Sequence, residues 1–111
     1  MKEIDSVLNK TLLIGVTVLD DEEKLIEQFQ TYGVVILVDA DGITIERKNM
    51  SNFVIPPDFN NIFDAEPGGY NLRETGETIS DPDLLSTWTV NCASSDEVGN
   101  FKEHGFSRWL K

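Results

Sequence analysis

The sequence predicts an all-β protein, a small antiparallel barrel or sandwich with short helical turns, and an SH3-like barrel is the favoured form. Three observations carry this. Six to eight short apolar or alternating runs recur along the 111 residues, separated by turn signals. No internal repeat, low-complexity tract or linker interrupts them. A hydrophobic fraction of 40% suits one globular domain spanning 1–111. A chain of this length buries roughly 65% of its unfolded surface, enough for a core without disulfide staples. The barrel core is expected at about 11–92, with a peripheral C-terminal segment at 95–111.

Taken in order, Leu12, Ile14, Val16 and Val18 alternate with Leu13, Gly15, Thr17 and Leu19, the pattern of a strand with one apolar face. Asp20-Asp21-Glu22-Glu23 follows as a charged turn. The next stretch reads two ways. Leu25, Ile26, Phe29 and Tyr32 share one helical face that Gly33 would cap. The same residues make a strand from Lys24 to Thr31, favoured by Phe29, Thr31 and Tyr32 and by the β character of the rest. Gly33 to Val38 is a fully apolar run read as a central strand. Asp39-Ala40-Asp41-Gly42 is a tight turn into the partner strand Ile43–Arg47. Phe53-Val54-Ile55 is a short strand stopped by Pro56-Pro57.

Asp58 to Gly69 is expected as a loop across one end of the barrel, with one helical turn around Asn60 to Phe63. Tyr70–Arg73 and Glu77–Ile79 form a hairpin around Thr75-Gly76. Asp81-Pro82-Asp83 opens a short turn through Leu84 and Leu85, with Pro at its first position. Trp88, Val90 and Cys92 alternate with Thr87, Thr89 and Asn91 as a last strand, which makes Trp88 and Cys92 core residues. Ser95-Asp96-Glu97 caps a weak C-terminal segment, where Trp109 is either a packing residue or an exposed anchor.

No self-sufficient catalytic constellation is present, so the chain is not read as an enzyme and no cofactor is expected. His104, the single histidine, lies between Glu103 and Gly105 in a polar stretch and reads as a solvated surface residue. Cys92 lacks an orienting partner for nucleophilic work. Asp39 begins like a calcium loop, but its sixth and twelfth positions are Thr44 and Met50, where Gly and Glu are needed. The glycines assemble no phosphate-binding pattern. The N-terminus lacks the apolar segment of a secretory signal, and no run approaches a membrane span of about 20 residues. A cytoplasmic protein is expected, with neither nucleic acid nor membrane as a partner.

The net charge is −11, and residues 51–97 carry nine acids against Arg73 alone. A polyanion does not neutralise phosphates. Only Arg47-Lys48 offers two adjacent bases. One reading of the excess is solubility. The other is an anionic docking face with aromatic anchors, aimed at a basic protein. A nuclease is such a protein, because its cleft must attract phosphate. Asp58, Asp64, Glu66, Glu77, Asp81 and Asp83, with Phe63 and Tyr70 as anchors, are the candidate partner-binding residues. A housekeeping interaction module is the second reading. A small-ligand barrel is the third, with Tyr70, Arg73, Thr87 and Thr89 supplying polar groups.

The stretches Ile14–Asp20, Leu25–Val35, Ile55–Phe59, Ala65–Glu77, Asp81–Asp83 and Leu85–Val90 resemble a family of small acidic bacterial cytosolic β proteins. Some of these resemble immunity proteins of contact-dependent growth inhibition and related polymorphic toxin systems. The resemblance covers roughly residues 11–92. It implies a compact β protein that binds and blocks a toxin domain stoichiometrically, without chemistry of its own; with the acidic excess, the expected toxin is a basic nuclease of RNase type, occluded by a monomer in a 1:1 complex.

Overall fold

The computed structural model describes residues 4–48, 50–72, 76–91 and 98–105. They form a six-stranded sheet and a two-stranded hairpin. After a short helix α1 (Ile4–Val7) come β1 (Thr11–Leu19), β2 (Leu25–Asp39), β3 (Gly42–Glu46) and β4 (Phe53–Ile55). A 3₁₀ turn (Phe59–Asn61), β5 (Phe63–Asp64), β6 (Gly69–Asn71), β7 (Thr78–Ser80), β8 (Leu84–Asn91) and helix α2 (Val98–His104) follow. The large sheet runs β4-β3-β2-β1-β8-β5, and β6 pairs with β7 alone. The all-β expectation holds. The barrel does not close: β4 and β5 are the two edges of an open sheet.

The fully antiparallel expectation also fails at one place. β1 and β8 pair in parallel, in unbroken register from Leu12 opposite Leu84 to Leu19 opposite Asn91. The chain reaches β8 only after its long excursion through β2 to β7, and it returns in the direction of β1. Leu84 and Leu85 therefore belong to this strand rather than to a turn.

The ambiguous stretch is strand. The Asp20 carboxylate accepts from the amides of Glu22 (2.8 Å) and Lys24 (2.9 Å), which closes the β1–β2 turn. β2 then continues through Gly33 as one strand of 15 residues, where two were expected. Gly33 makes no turn. It lets the Glu46 carbonyl of the neighbouring strand approach its Cα closer than a Cβ would permit. The Val34–Val38 run is not wholly buried either. Val35 is buried, while Val34, Ile36 and Leu37 are exposed around a bulge between Val35 and Leu37.

One face of the bent sheet carries the main core of Leu12, Ile14, Val16, Val18, Phe29, Val35, Ile43, Ile45, Phe53, Ile55, Leu84 and Val90. Trp88 packs against it, as its place in the alternation requires. On the opposite face the β6–β7 hairpin covers one end. There Leu72 and Ile79 pack on Leu13, joined by Tyr32, Tyr70 and Leu85. Helix α2 is tied down through Arg47. Its guanidinium donates to the carbonyls of Lys102 (3.1 Å) and Glu103 (2.6 Å) in the last turn of α2, and to the Thr31 hydroxyl (3.1 Å). Its Nε donates to the Ser51 carbonyl (2.8 Å). A cation placed there satisfies carbonyls that a helix C-terminus leaves open and complements its dipole. Gly105 then bridges to Val54.

Candidate functional site

The acidic candidates are best followed along the chain from Pro56-Pro57. Proline ends β4, and the Asp58 carboxylate accepts from the Asn60 amide at 3.0 Å to cap the 3₁₀ turn. The next residues do not cross a barrel mouth. They lie along the open side of β8, with Phe63 opposite Leu85 and Asp64 opposite Leu84. Asn61 fastens this segment: its side-chain amide donates to the Thr87 carbonyl (2.6 Å) and its carbonyl accepts from the Ser86 hydroxyl (2.7 Å).

Beyond β5 the chain is stitched to the segment that precedes β8. The Ala65 amide donates to the Asp83 carbonyl (3.1 Å), and the Asp81 amide donates to the Gly68 carbonyl (2.9 Å). The Asp81 carboxylate accepts from the Gly68 amide at 2.7 Å, and the Asp83 carboxylate from the Thr11 amide at 3.0 Å. Asp64, Glu66, Asp81 and Asp83 thus meet at one corner, where β5, β8 and the start of β1 converge. Phe63 stands beside them, 53% exposed.

Of the other three candidates, Asp58 and Glu77 lie elsewhere, and Tyr70 reaches the corner only through its hydroxyl. Asp58 sits on the far side of the 3₁₀ turn. Glu77 is near the tip of the β6–β7 hairpin, where its carboxylate accepts from the Tyr32 hydroxyl at 2.9 Å. That hydrogen bond, then burial and the Glu77 charge, raise the Tyr32 phenol above its usual pKa. Tyr70 is half-buried against Leu13, Leu72 and Ile79, and its hydroxyl donates to the Glu66 carbonyl at 2.8 Å. It anchors the hairpin to its own sheet. Glu74, Arg73, Cys92, Asp96, Glu97 and Trp109 lie outside the described residues.

The one pair of adjacent bases does not form a cationic patch. Arg47 is 5% exposed, and its ring contact with Phe53 (4.8 Å to the centroid) completes its enclosure. Lys102 pairs with Glu27 at 3.3 Å and Lys24 with Glu22 at 3.4 Å. Withdrawing Arg47 from the surface leaves the exterior more anionic than the composition states.

Of a second feature the sequence marks only Thr87 and Thr89, the polar groups of the small-ligand reading. On the same sheet face as the hairpin, beyond the end that it covers, Thr17, Gln28, Gln30, Thr87 and Thr89 surround Gly15 and line a depression of about 330 Å³. Strands β2, β1 and β8 supply it in register: Gly15 faces Gln30 and Thr87, and Thr17 faces Gln28 and Thr89. The available signal was a glycine at the centre of an apolar alternation.

Among the described residues no group of three or more His, Cys, Asp or Glu side chains is placed to hold a metal ion. No helix among them is long and apolar enough to cross a membrane. No protein-family model matches the chain, and comparison with characterised proteins and with solved structures finds no match.

Proposed function

We propose that this protein is an immunity protein that binds a basic toxin domain of nuclease type and blocks its active site with an acidic surface. The observation that carries the reading is the backbone pairing that brings the segments bearing Asp64, Glu66, Asp81 and Asp83 to one corner beside the exposed Phe63. Carboxylates there pair with the cations that a nuclease uses to hold phosphate. Phe63 supplies the apolar contact that holds the complex once charge has steered the encounter. Asp81 and Asp83 have a double role. Their carboxylates lock backbone amides and still present negative charge at the surface. Glu66 and Phe63 contribute most directly to binding, because the fold uses the Glu66 backbone carbonyl and leaves its carboxylate to solvent.

The test is retention of a basic protein from the source cell on the wild-type chain and on a Phe63→Ala, Glu66→Lys double variant. Wild type is expected to hold a single basic protein that salt releases and that is toxic when expressed alone. The double variant is expected to lose it while keeping its own melting temperature. Equal retention by both would place the interface elsewhere. Capture of ribosomal or metabolic proteins would favour a housekeeping interaction module.

A further inference from the structure

Gly15 occupies the middle of β1, between two neighbouring strands, where β-branched residues are preferred. A glycine inside a strand costs about 0.5–1 kcal/mol relative to alanine. The fold gives no reason for it. Gly15 is absent from the positive-φ glycines, which are Gly42, Gly68, Gly76 and Gly105. Pairing runs through it without a bulge on either side. A Cβ built on it would find its nearest neighbour, the Thr87 Cγ2, at 3.9 Å, an ordinary contact. Gly33 and Gly105 differ, since a Cβ on either would run into the backbone of a neighbouring strand. A strand glycine also marks a place where a group from outside approaches its backbone, and the depression beside Gly15 leaves room for one.

We propose that the depression around Gly15 binds a neutral, hydroxyl-rich small ligand of the sugar class. Its lining decides the chemistry. Thr17, Gln28, Gln30, Thr87 and Thr89 are all uncharged, and each side chain both donates and accepts. A ligand hydroxyl does the same. In a chain whose residues are 26% charged, a site with no charged lining selects neither anions nor cations. The volume of about 330 Å³ lies at the small end of ligand sites and suits a single ring. A basic protein would be drawn to the acidic corner instead, so the site is independent of the immunity reading.

The test is an amide NMR titration of the full chain with D-glucose, D-galactose and D-ribose, with glutamate and arginine as charged controls. Saturable shifts are expected at Gly15, Thr17, Gln28, Gln30, Thr87 and Thr89 with at least one sugar and with neither control. Gly15→Val fills the depression and is expected to abolish them. The Thr87→Val, Thr89→Val double variant keeps shape, removes two hydroxyls and is expected to weaken binding at least tenfold. The proposal fails if no sugar gives saturable shifts at these amides, if the controls act equally, or if both variants respond like wild type. Response of these amides to a protein partner and to no sugar would also overturn it, in favour of protein docking.

Discussion

Replacing Arg47 with methionine tests how the C-terminal helix is held. The guanidinium makes four hydrogen bonds, at 2.8, 3.1, 3.1 and 2.6 Å, reaching Ser51, Thr31, Lys102 and Glu103. Burial pulls its pKa below the usual value, and the Glu103 carboxylate opposes that. Guanidinium nevertheless keeps its proton. Hydrogen bonds to a charged group contribute about 1.5–3 kcal/mol each, so four would sum to roughly 6–12 kcal/mol if they were independent. They are not. Methionine keeps the apolar stem but loses the guanidinium's place over the Phe53 ring, and α2 can undock so that water satisfies the Lys102 and Glu103 carbonyls. A net loss of about 3–4 kcal/mol is expected, near the upper end for single substitutions. At roughly 4 °C per kcal/mol, the melting temperature falls by about 12–16 °C. Arg47→Lys keeps the charge and loses the fork, so a loss of about 2 kcal/mol is expected. Urea unfolding measures both, and hydrogen exchange locates the effect at the amides of 98–105. A loss below about 1 kcal/mol for Arg47→Met, or full protection of α2 in that variant, would refute the latch.

Gly105→Ala should destabilise by about 3 kcal/mol, because its φ is +90° and a Cβ would strike the Val54 carbonyl; thermal unfolding measures this. Asp83→Ala removes the acceptor for the Thr11 amide and should cost about 1 kcal/mol in urea unfolding. Tyr32 carries the pH dependence. Its folded pKa is raised above 10.0, so the Tyr32–Glu77 link is fully present below about pH 10 and is lost as pH rises through the folded value. A spectrophotometric phenol titration should show one tyrosine titrating late, and Glu77→Gln should return it toward the ordinary range.

Local turn chemistry was the most legible part of the fold. Asp20 and Asp39 each accept from backbone amides of the turns they begin, as their positions ahead of a charged and a glycine-containing turn suggest, whereas the capping role of Asp58 was not read from the sequence. Alternation also placed Leu12, Ile14, Val16 and Val18 on the core face. What periodicity does not encode is long-range pairing. The parallel β1–β8 contact joins residues more than 70 positions apart, and nothing local distinguishes it from an antiparallel neighbour. Arg47 illustrates the same limit. Beside Lys48 it reads as surface charge, yet partners from Thr31 to Glu103 bury it. At the candidate site, backbone pairing gathers Asp64, Glu66, Asp81 and Asp83, while Asp58 and Glu77 stand apart because a 3₁₀ turn and a hairpin intervene. Composition gives the amount of charge, and only topology distributes it.

The central claim is that the acidic corner neutralises a basic toxin. The most direct measurement is growth of cells expressing the basic protein retained by this chain, alone and with wild type or the Phe63→Ala, Glu66→Lys variant. Arrest by the captured protein, relief by wild type and renewed arrest with the variant are the predicted results. A captured protein that leaves growth unaffected, or relief as complete from the variant as from wild type, would contradict the account.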